Sequence, residues 1–195
     1  MTFMQAIRRN LAIVLRFSGR EPLASFWLYV AGVMGFMTVA WAIPFFMMMG
    51  ETVDRMRRFA AAHPEQATVT QGPGNYSIEI RGAHPELMPD FGSMLMVLAP
   101  IVLVTVTLLA AAVVRRLHDR GLRGAWGLMP LPLLGFGLYG FNRAMAGMAA
   151  TGLPDRWFIL LFLNNLIYLA LVATLIVLLV HDGDPGANRF GDPVV

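Results

Sequence analysis

Residues 115–121 read Arg-Arg-Leu-His-Asp-Arg-Gly, and one more arginine follows two positions later. The planar guanidinium group binds phosphate and carboxylate groups through paired hydrogen bonds, so this motif could bind a lipid headgroup or a phosphorylated ligand. A histidine beside a carboxylate adds a second chemistry, because such a pair can transfer protons or contribute to a metal site. The first candidate site therefore consists of Arg115, Arg116, His118, Asp119, Arg120 and Arg123.

A structural role competes with both of these chemistries. Arginines beside an apolar segment commonly anchor a helix at the membrane surface, and Asp119 could pair with one of them or cap the turn before Gly121. The sequence places no second histidine or acid where it would complete a catalytic or metal site around His118. We therefore rank the structural role first, the anion site second and catalysis third, and we assign no catalytic residue, no metal and no cofactor.

The C-terminal tail carries a second group of polar residues, in the sequence Asp-Gly-Asp-Pro-Gly-Ala-Asn-Arg-Phe-Gly-Asp-Pro at 182–193. Asp182, Asp184 and Asn188 resemble the start of a calcium-binding loop, but Pro193 stands where that loop needs glutamate. We expect instead a turn-rich tail that packs against the arginine motif, so that the acids of the tail offset the arginines. The tail adds three residues to the candidate site, namely Asn188, Arg189 and Asp192.

The composition predicts an all-α integral membrane protein. Hydrophobic residues make up 57% of the chain and charged residues only 14%, and the apolar residues form long blocks. A helix needs about 20 residues to cross the hydrocarbon core of a bilayer. The third block is short and contains Pro130 and Pro132, which is compatible with a kinked span or a re-entrant segment, and we favour a span. We predict four transmembrane helices, at residues 26–49, 93–114, 125–141 and 157–180.

The arginines indicate the orientation of the chain in the membrane. All 15 basic residues are arginine, and with the N-terminus inside, nine of them lie in cytoplasmic segments and six outside. The positive-inside rule thus favours a cytoplasmic N-terminus. Four spans return the tail, residues 181–195, to the cytoplasm, whereas a re-entrant third segment would leave it outside. The basic charge needs no nucleic acid as a partner, and the absence of cysteine excludes disulfides and thiolate sites.

The polar segments complete a single membrane domain, residues 1–195. We expect residues 1–25 to contain an amphipathic helix, ended by Gly19, that lies on the inner leaflet or packs against the protein's own helices. The loop 50–92 should begin as an extension of the first helix, stop at Pro64 and continue as a β-hairpin. The remaining connections are a cytoplasmic loop at 115–124 and an extracytoplasmic loop at 142–156.

The transmembrane segments favour association between helices over transport. Ion-coupled transporters normally have ionisable residues inside the membrane, and these segments contain none. Ala31 and Gly35 form a small-residue face that allows a second helix to approach closely, and Asn164 and Asn165 are expected to form hydrogen bonds between helices. These four residues are the candidates for helix association.

Four elements along the chain together resemble one known family. They are Phe17-Ser-Gly-Arg20, Phe26-Trp27, the motif 115–121 followed by Trp126, and Gly186-Ala-Asn-Arg-Phe-Gly191 with Asp192-Pro193. In this order they resemble the bacterial inner-membrane family called domain of unknown function 805. The resemblance implies a helical inner-membrane protein with a cytoplasmic N-terminus and no established biochemical activity.

Three functions are compatible with these observations. The first is a non-enzymatic protein of the bacterial inner membrane that associates through its helices, as a homo-oligomer or with another membrane protein. In this hypothesis the arginine motif and the tail bind anionic lipid headgroups or a protein partner. The second is a small oligomeric transporter or channel for an anionic solute. The third is a membrane enzyme that acts on a lipid phosphate through His118 and Asp119.

Overall fold

The computed structural model describes residues 1–82, 84–151 and 153–193. Residue 83 of the predicted loop 50–92, residue 152 of the loop 142–156 and the last two residues of the tail lie outside these ranges. The described chain is mainly helical, with one β-hairpin. Its elements are α1 (Phe3–Ala12), α2 (Leu23–Ala62), β1 (Ala67–Gly72), β2 (Asn75–Ile80), α3 (Phe91–Asp119), α4 (Leu131–Thr151) and α5 (Arg156–Val180).

Three helical segments in the described part of the chain are long and apolar enough to cross a membrane. They are Leu23–Ala62, Pro85–Asp119 and Arg156–Val180. The first, α2, continues without a break beyond its apolar part and ends just before Pro64, as the sequence predicted. α5 begins at Arg156 and ends at Val180, almost the predicted bounds of the fourth span. These helices establish a membrane-like helical architecture.

The predicted third span differs from the structure. Residues Gly124–Leu128 form a short 3-10 helix, and α4 starts only at Leu131, so the helix lies later in the chain than 125–141. Pro130 precedes the helix and Pro132 is its second residue. A proline there removes no helical hydrogen bond, because the first N–H groups of a helix have no partner within it. The two prolines therefore begin the helix, and the predicted segment 125–141 changes at them from a 3-10 helix and a turn to an α-helix.

The N-terminal helix is shorter than predicted, because α1 ends at Ala12 and not at Gly19. Its start is capped by reciprocal hydrogen bonds between Thr2 and Gln5. The helix packs on α2, where a Cβ atom on Gly32 would lie only 2.2 Å from Ile7 Cδ1. Part of the predicted apolar face thus rests on the protein itself, and Leu15 on the following segment is 75% exposed.

The hairpin predicted between Thr68 and Ile80 is confirmed. β1 and β2 pair in antiparallel register, with Gly72 opposite Asn75, so Pro73 and Gly74 form the turn. Gly74 has a φ of +76°, which suits the third position of a type II turn after proline. A lone hairpin is marginally stable in water, and this one is supported by α2, whose Arg57 guanidinium lies 5.0 Å from the Tyr76 ring.

The buried core lies at one end of the helices. Phe26, Tyr29, Val33 and Met37 of α2 pack there with residues of α3 and with Leu179 at the end of α5. Elsewhere, many large apolar side chains of the long helices face outward. This distribution is typical of helices surrounded by lipid, and it places the best-packed interior directly beneath the arginine motif.

Candidate functional site: a buried arginine cluster

The arginine motif lies on the last turn of α3, where three segments distant in the sequence meet. The chain before α2 and the tail after α5 both contact this turn. Charged side chains are seldom fully buried unless they are paired, yet the five that meet here are each less than 10% exposed. We call this group the clasp, and it consists of Arg20, Glu21, Arg115, Arg116 and Asp119.

The first half of the clasp joins Arg115 to the N-terminal segment. Its Nε donates to Glu21 Oε2 at 3.1 Å, and its terminal nitrogens donate to Asn10 Oδ1 and to the carbonyls of residues 13 and 16. Glu21 also accepts from Asn10 at 3.2 Å and from the Ser25 hydroxyl at 2.6 Å. A fully buried carboxylate is thereby surrounded by donors from α1, α2 and α3. Both carbonyls follow the end of α1, and that of Ile13 also accepts from Arg16 N at 2.9 Å.

The second half of the clasp joins two arginines through one carboxylate. Asp119 Oδ1 accepts from Arg20 Nε at 2.7 Å, and Asp119 Oδ2 accepts from Arg116. The side chains of both arginines are at most 1% exposed. The whole clasp contains three positive and two negative groups, because here one carboxylate faces two guanidinium groups. The excess positive charge needs other hydrogen-bond acceptors.

Backbone carbonyl groups supply these acceptors. Nine carbonyl oxygens accept hydrogen bonds from the three buried arginines. Arg20 shows the principle most fully, since each of its five N–H groups has an acceptor within the protein. The buried arginines therefore use their hydrogen-bonding capacity inside the molecule.

The tail binds the clasp through its backbone carbonyls, while its acids act on the motif arginines through charge at longer range, as Asp182 does on Arg116. Arg20 donates to the carbonyls of Gly186 and Gly191, and Arg116 donates to the carbonyl of His181. In the part of the chain that the structure describes, the ion pairs of the clasp use Glu21 and Asp119 and no acid of the tail. Carbonyl oxygens suffice because guanidinium N–H groups donate to any well-placed oxygen.

A second set of contacts holds the tail beside the motif. Asn188 Nδ2 donates to the His118 carbonyl at 3.0 Å and to Asp184 Oδ2 at 2.9 Å. The His118 ring stacks on Phe190 with 3.8 Å between ring centroids, and Arg189 donates to the Gly121 carbonyl at 2.8 Å. These contacts act together with the clasp in holding the tail against α3.

The geometry of His118 and Asp119 does not resemble a proton-transfer pair. Both oxygens of Asp119 accept from arginines, while the His118 ring lies against Phe190 with Nδ1 3.3 Å from the Gly19 carbonyl. Within the described residues no hydrogen bond joins the two side chains. Adjacent positions on the last helical turn direct them to different neighbours.

The other members of the predicted motif lie at its edge. Arg120 donates to the Leu178 carbonyl at 2.6 Å, which attaches the end of α5 to the motif. Arg123 and Asp192 are exposed, and neither side chain has a hydrogen bond or ion pair among the described residues. The structure thus separates the predicted site into a buried set and an exposed set.

The helix-association candidates lie away from the clasp. Ala31 and Gly35 are on an exposed face of α2, and a Cβ atom on Gly35 would meet nothing within 4 Å. Asn164 donates to the Leu133 carbonyl at 3.1 Å and so joins α5 to α4, whereas Asn165 is exposed. Association with a second helix through these residues stays a prediction.

Sequence reasoning missed Asn10, Ser25 and, above all, Glu21, although Arg20 belonged to a recognised element. Glu21 lies 94 residues from its partner Arg115, so no local spacing connects them. One signal was present, because Glu21 is the sole acid in the first 50 residues and stands among four arginines. A single acid in an arginine-rich segment next to a membrane helix indicates a buried ion pair.

The apolar helices and the buried arginine cluster define a helical membrane-type protein whose termini are joined at one end. The model of the family described as protein of unknown function (DUF805) matches residues 14–192, and the chain belongs to this family. No curated protein and no solved structure matches the chain. The matched range includes all five residues of the clasp, and the family carries no assigned activity.

Proposed function

We propose that the protein is a non-enzymatic protein of the bacterial inner membrane whose cytoplasmic surface is formed by the clasp and the tail. One observation carries this proposal. The three buried arginines donate to protein acceptors throughout, so the motif builds a rigid surface instead of holding a substrate. Binding to other molecules is then left to the exposed residues around it.

The path of the chain supports four membrane crossings. The chain leaves the clasp at Gly121 and returns to it at Leu179 and His181, which both accept from Arg116. α5 has 25 residues and is about 37 Å long at 1.5 Å per residue, enough to cross the bilayer. If α5 crosses once and ends at the clasp, α4 must cross in the opposite direction. Both termini then lie on the side that carries more arginine, the cytoplasm.

Topology can be tested with reporter fusions. A fusion after Val195 and one after Ala62 should report opposite sides, with Val195 cytoplasmic and Ala62 outside. An outside signal at Val195 would exclude four crossings. Equal signals at both positions would exclude the proposed crossing of α2.

Exposed arginines near the clasp are the proposed binding residues for anionic lipid headgroups. Arg8 and Arg16 lie on the N-terminal segment, Arg123 follows the motif, and all three are exposed. Each arginine near an anionic membrane surface contributes about 1 kcal/mol. Because the buried arginines hold the surrounding backbone, these exposed groups are presented at fixed positions on one surface.

The test compares two charge-matched double variants by native mass spectrometry with added phosphatidylglycerol. Arg16→Gln with Arg123→Gln should weaken binding roughly thirtyfold, the equivalent of about 2 kcal/mol. The control, Arg58→Gln with Arg156→Gln, removes two exposed arginines away from the clasp and should leave binding unchanged. Equal losses in both variants would show only a general effect of charge and would contradict a binding surface at the clasp.

A further inference from the structure

A cleft separates α2 from α3 at the end of the bundle opposite the clasp. The two helices are tightly packed around Phe26 and Ala112, but further along they enclose a cavity of about 280 Å³. Its lower wall is apolar, and Trp41 and Phe45 stack there with 4.7 Å between ring centroids. The apolar lining also includes Met48, Met94, Val97 and Leu98.

The upper rim of the same cleft is charged. Glu51, Arg55, Asp90 and Ser93 line it, just beyond the apolar part of α2 and at the start of α3. The cleft therefore straddles the boundary between apolar and polar protein surface. A ligand that fits both parts must have an apolar chain and a polar head.

One polar atom on this rim has no partner. Arg55 donates through one terminal nitrogen to Thr52 Oγ1 at 3.1 Å and to the Met88 carbonyl at 3.2 Å. Its Nε is buried and has no acceptor among the described residues. A buried charged donor without an acceptor is costly, so this nitrogen points to an acceptor that the ligand would provide.

The charges around Arg55 define the head of the ligand. Glu51 is exposed and Asp90 uses its carboxylate to cap α3, through Ser93 N at 3.0 Å and Ser93 Oγ at 2.6 Å. A carboxylate retains further lone pairs for a second donor. The rim thus offers one cation and two anions, which suits a headgroup that carries both an anion that accepts and a cation that donates hydrogen bonds.

We propose that this cleft binds a phospholipid with a phosphoethanolamine headgroup. Its phosphate accepts from Arg55 Nε, its ammonium group donates to Glu51 and Asp90, and part of one acyl chain lies between α2 and α3. Phosphatidylglycerol provides no cation for the two carboxylates. Phosphatidylcholine provides a cation without N–H donors. The cleft volume is slightly below the usual range for small-molecule sites, which fits one chain segment and not a whole lipid.

Native mass spectrometry of the full chain in detergent tests the proposal with three lipids that have identical acyl chains. Phosphatidylethanolamine should bind roughly tenfold more tightly than phosphatidylcholine, because the free energy of one hydrogen bond to a charged group corresponds to about a tenfold change in affinity. Glu51→Gln should remove this preference. Val97→Trp should fill the cleft and abolish binding at this site, while phosphatidylglycerol bound near the clasp is retained.

Arg58→Gln is the matched control, because Arg58 is exposed on α2 and does not line the cleft. It should bind phosphatidylethanolamine as the natural chain does. Equal binding of the ethanolamine and choline lipids would overturn the proposal, as would unchanged binding in Val97→Trp. A change in oligomeric state with Val97→Trp, without loss of lipid, would show that a second copy occupies the cleft and would also overturn it. If Val97→Trp does not fold, the exposed Glu51→Gln decides.

Discussion

Asp119→Asn is expected to open the tail, because one carboxylate serves two buried arginines. The substitution keeps the shape of the side chain but removes the negative charge between Arg20 and Arg116. Removing one partner of a buried ion pair costs about 3–5 kcal/mol. The carbonyl acceptors of both arginines remain, so we take the lower end, about 3 kcal/mol. That free energy corresponds to an increase of about 150-fold in the population with an undocked tail.

Limited trypsin digestion measures this population through cleavage after Arg189. The peptide bond is held by the Asn188–Gly191 backbone pairing and by the contact of Arg189 with Gly121. Cleavage requires local opening, and its rate follows the open population when closing is faster than cleavage. We therefore expect cleavage after Arg189 to be on the order of 100-fold faster in Asp119→Asn than in the natural chain.

Asp192→Asn provides the control for this experiment. Asp192 is an exposed tail aspartate with no hydrogen bond or ion pair in the described part of the chain, so its substitution should leave the cleavage rate unchanged. If the two variants are cleaved at equal rates, the carboxylate of Asp119 does not hold the tail. The assignment of the clasp as the element that joins the termini would then be wrong.

Three further substitutions test other parts of the structure. Gly183→Ala should release the tail as Asp119→Asn does, because a Cβ atom there would lie 2.0 Å from Asp119 Oδ2. The control is Gly186→Ala, where a Cβ atom would meet nothing within 4 Å, and trypsin should cleave it after Arg189 at the natural rate. Gly74→Ala should destabilise the hairpin by about 1 kcal/mol, because alanine is strained at the positive φ of this position. Amide hydrogen exchange of the hairpin measures the effect, and the control Gly72→Ala should exchange as the natural chain does. Asn164→Leu should lower the free energy of unfolding in detergent by about 0.6 kcal/mol, because it removes the hydrogen bond to the Leu133 carbonyl. A loss several kcal/mol larger than that of Asn165→Leu would contradict this simple contact.

Hydropathy and turn chemistry were sufficient for most of the fold. α5 lies almost where the apolar block predicted it, and the hairpin forms around Pro73 and Gly74 because that pair has strong local preferences. α4 was displaced because its apolar block begins before the prolines, while the helix can begin only with them. Apolar composition indicates whether a segment is surrounded by lipid, whereas backbone hydrogen bonding determines the residue at which its helix starts.

The candidate site was only half predictable for a different reason. The sequence indicated that the motif and the tail lie together, and it ranked a structural role first. It could not indicate that the tail contributes carbonyl oxygens, because every residue has a carbonyl group and residue type does not show which of them accepts a hydrogen bond. Nor could it connect Glu21 with Arg115, because their contact depends on the packing of α2 against α3.

The position of Arg20 has a consequence for biosynthesis. It is made early, yet two of its acceptors, the carbonyls of Gly186 and Gly191, lie 166 and 171 residues further along the chain. The guanidinium must therefore remain hydrated or differently paired until residues 186–191 have been synthesised and have reached the clasp. A chain that ends before residue 186 would keep the pairing of Arg20 with Asp119 but would leave one terminal nitrogen of Arg20 without its two carbonyl acceptors. This defect distinguishes unfinished molecules from those that contain the tail.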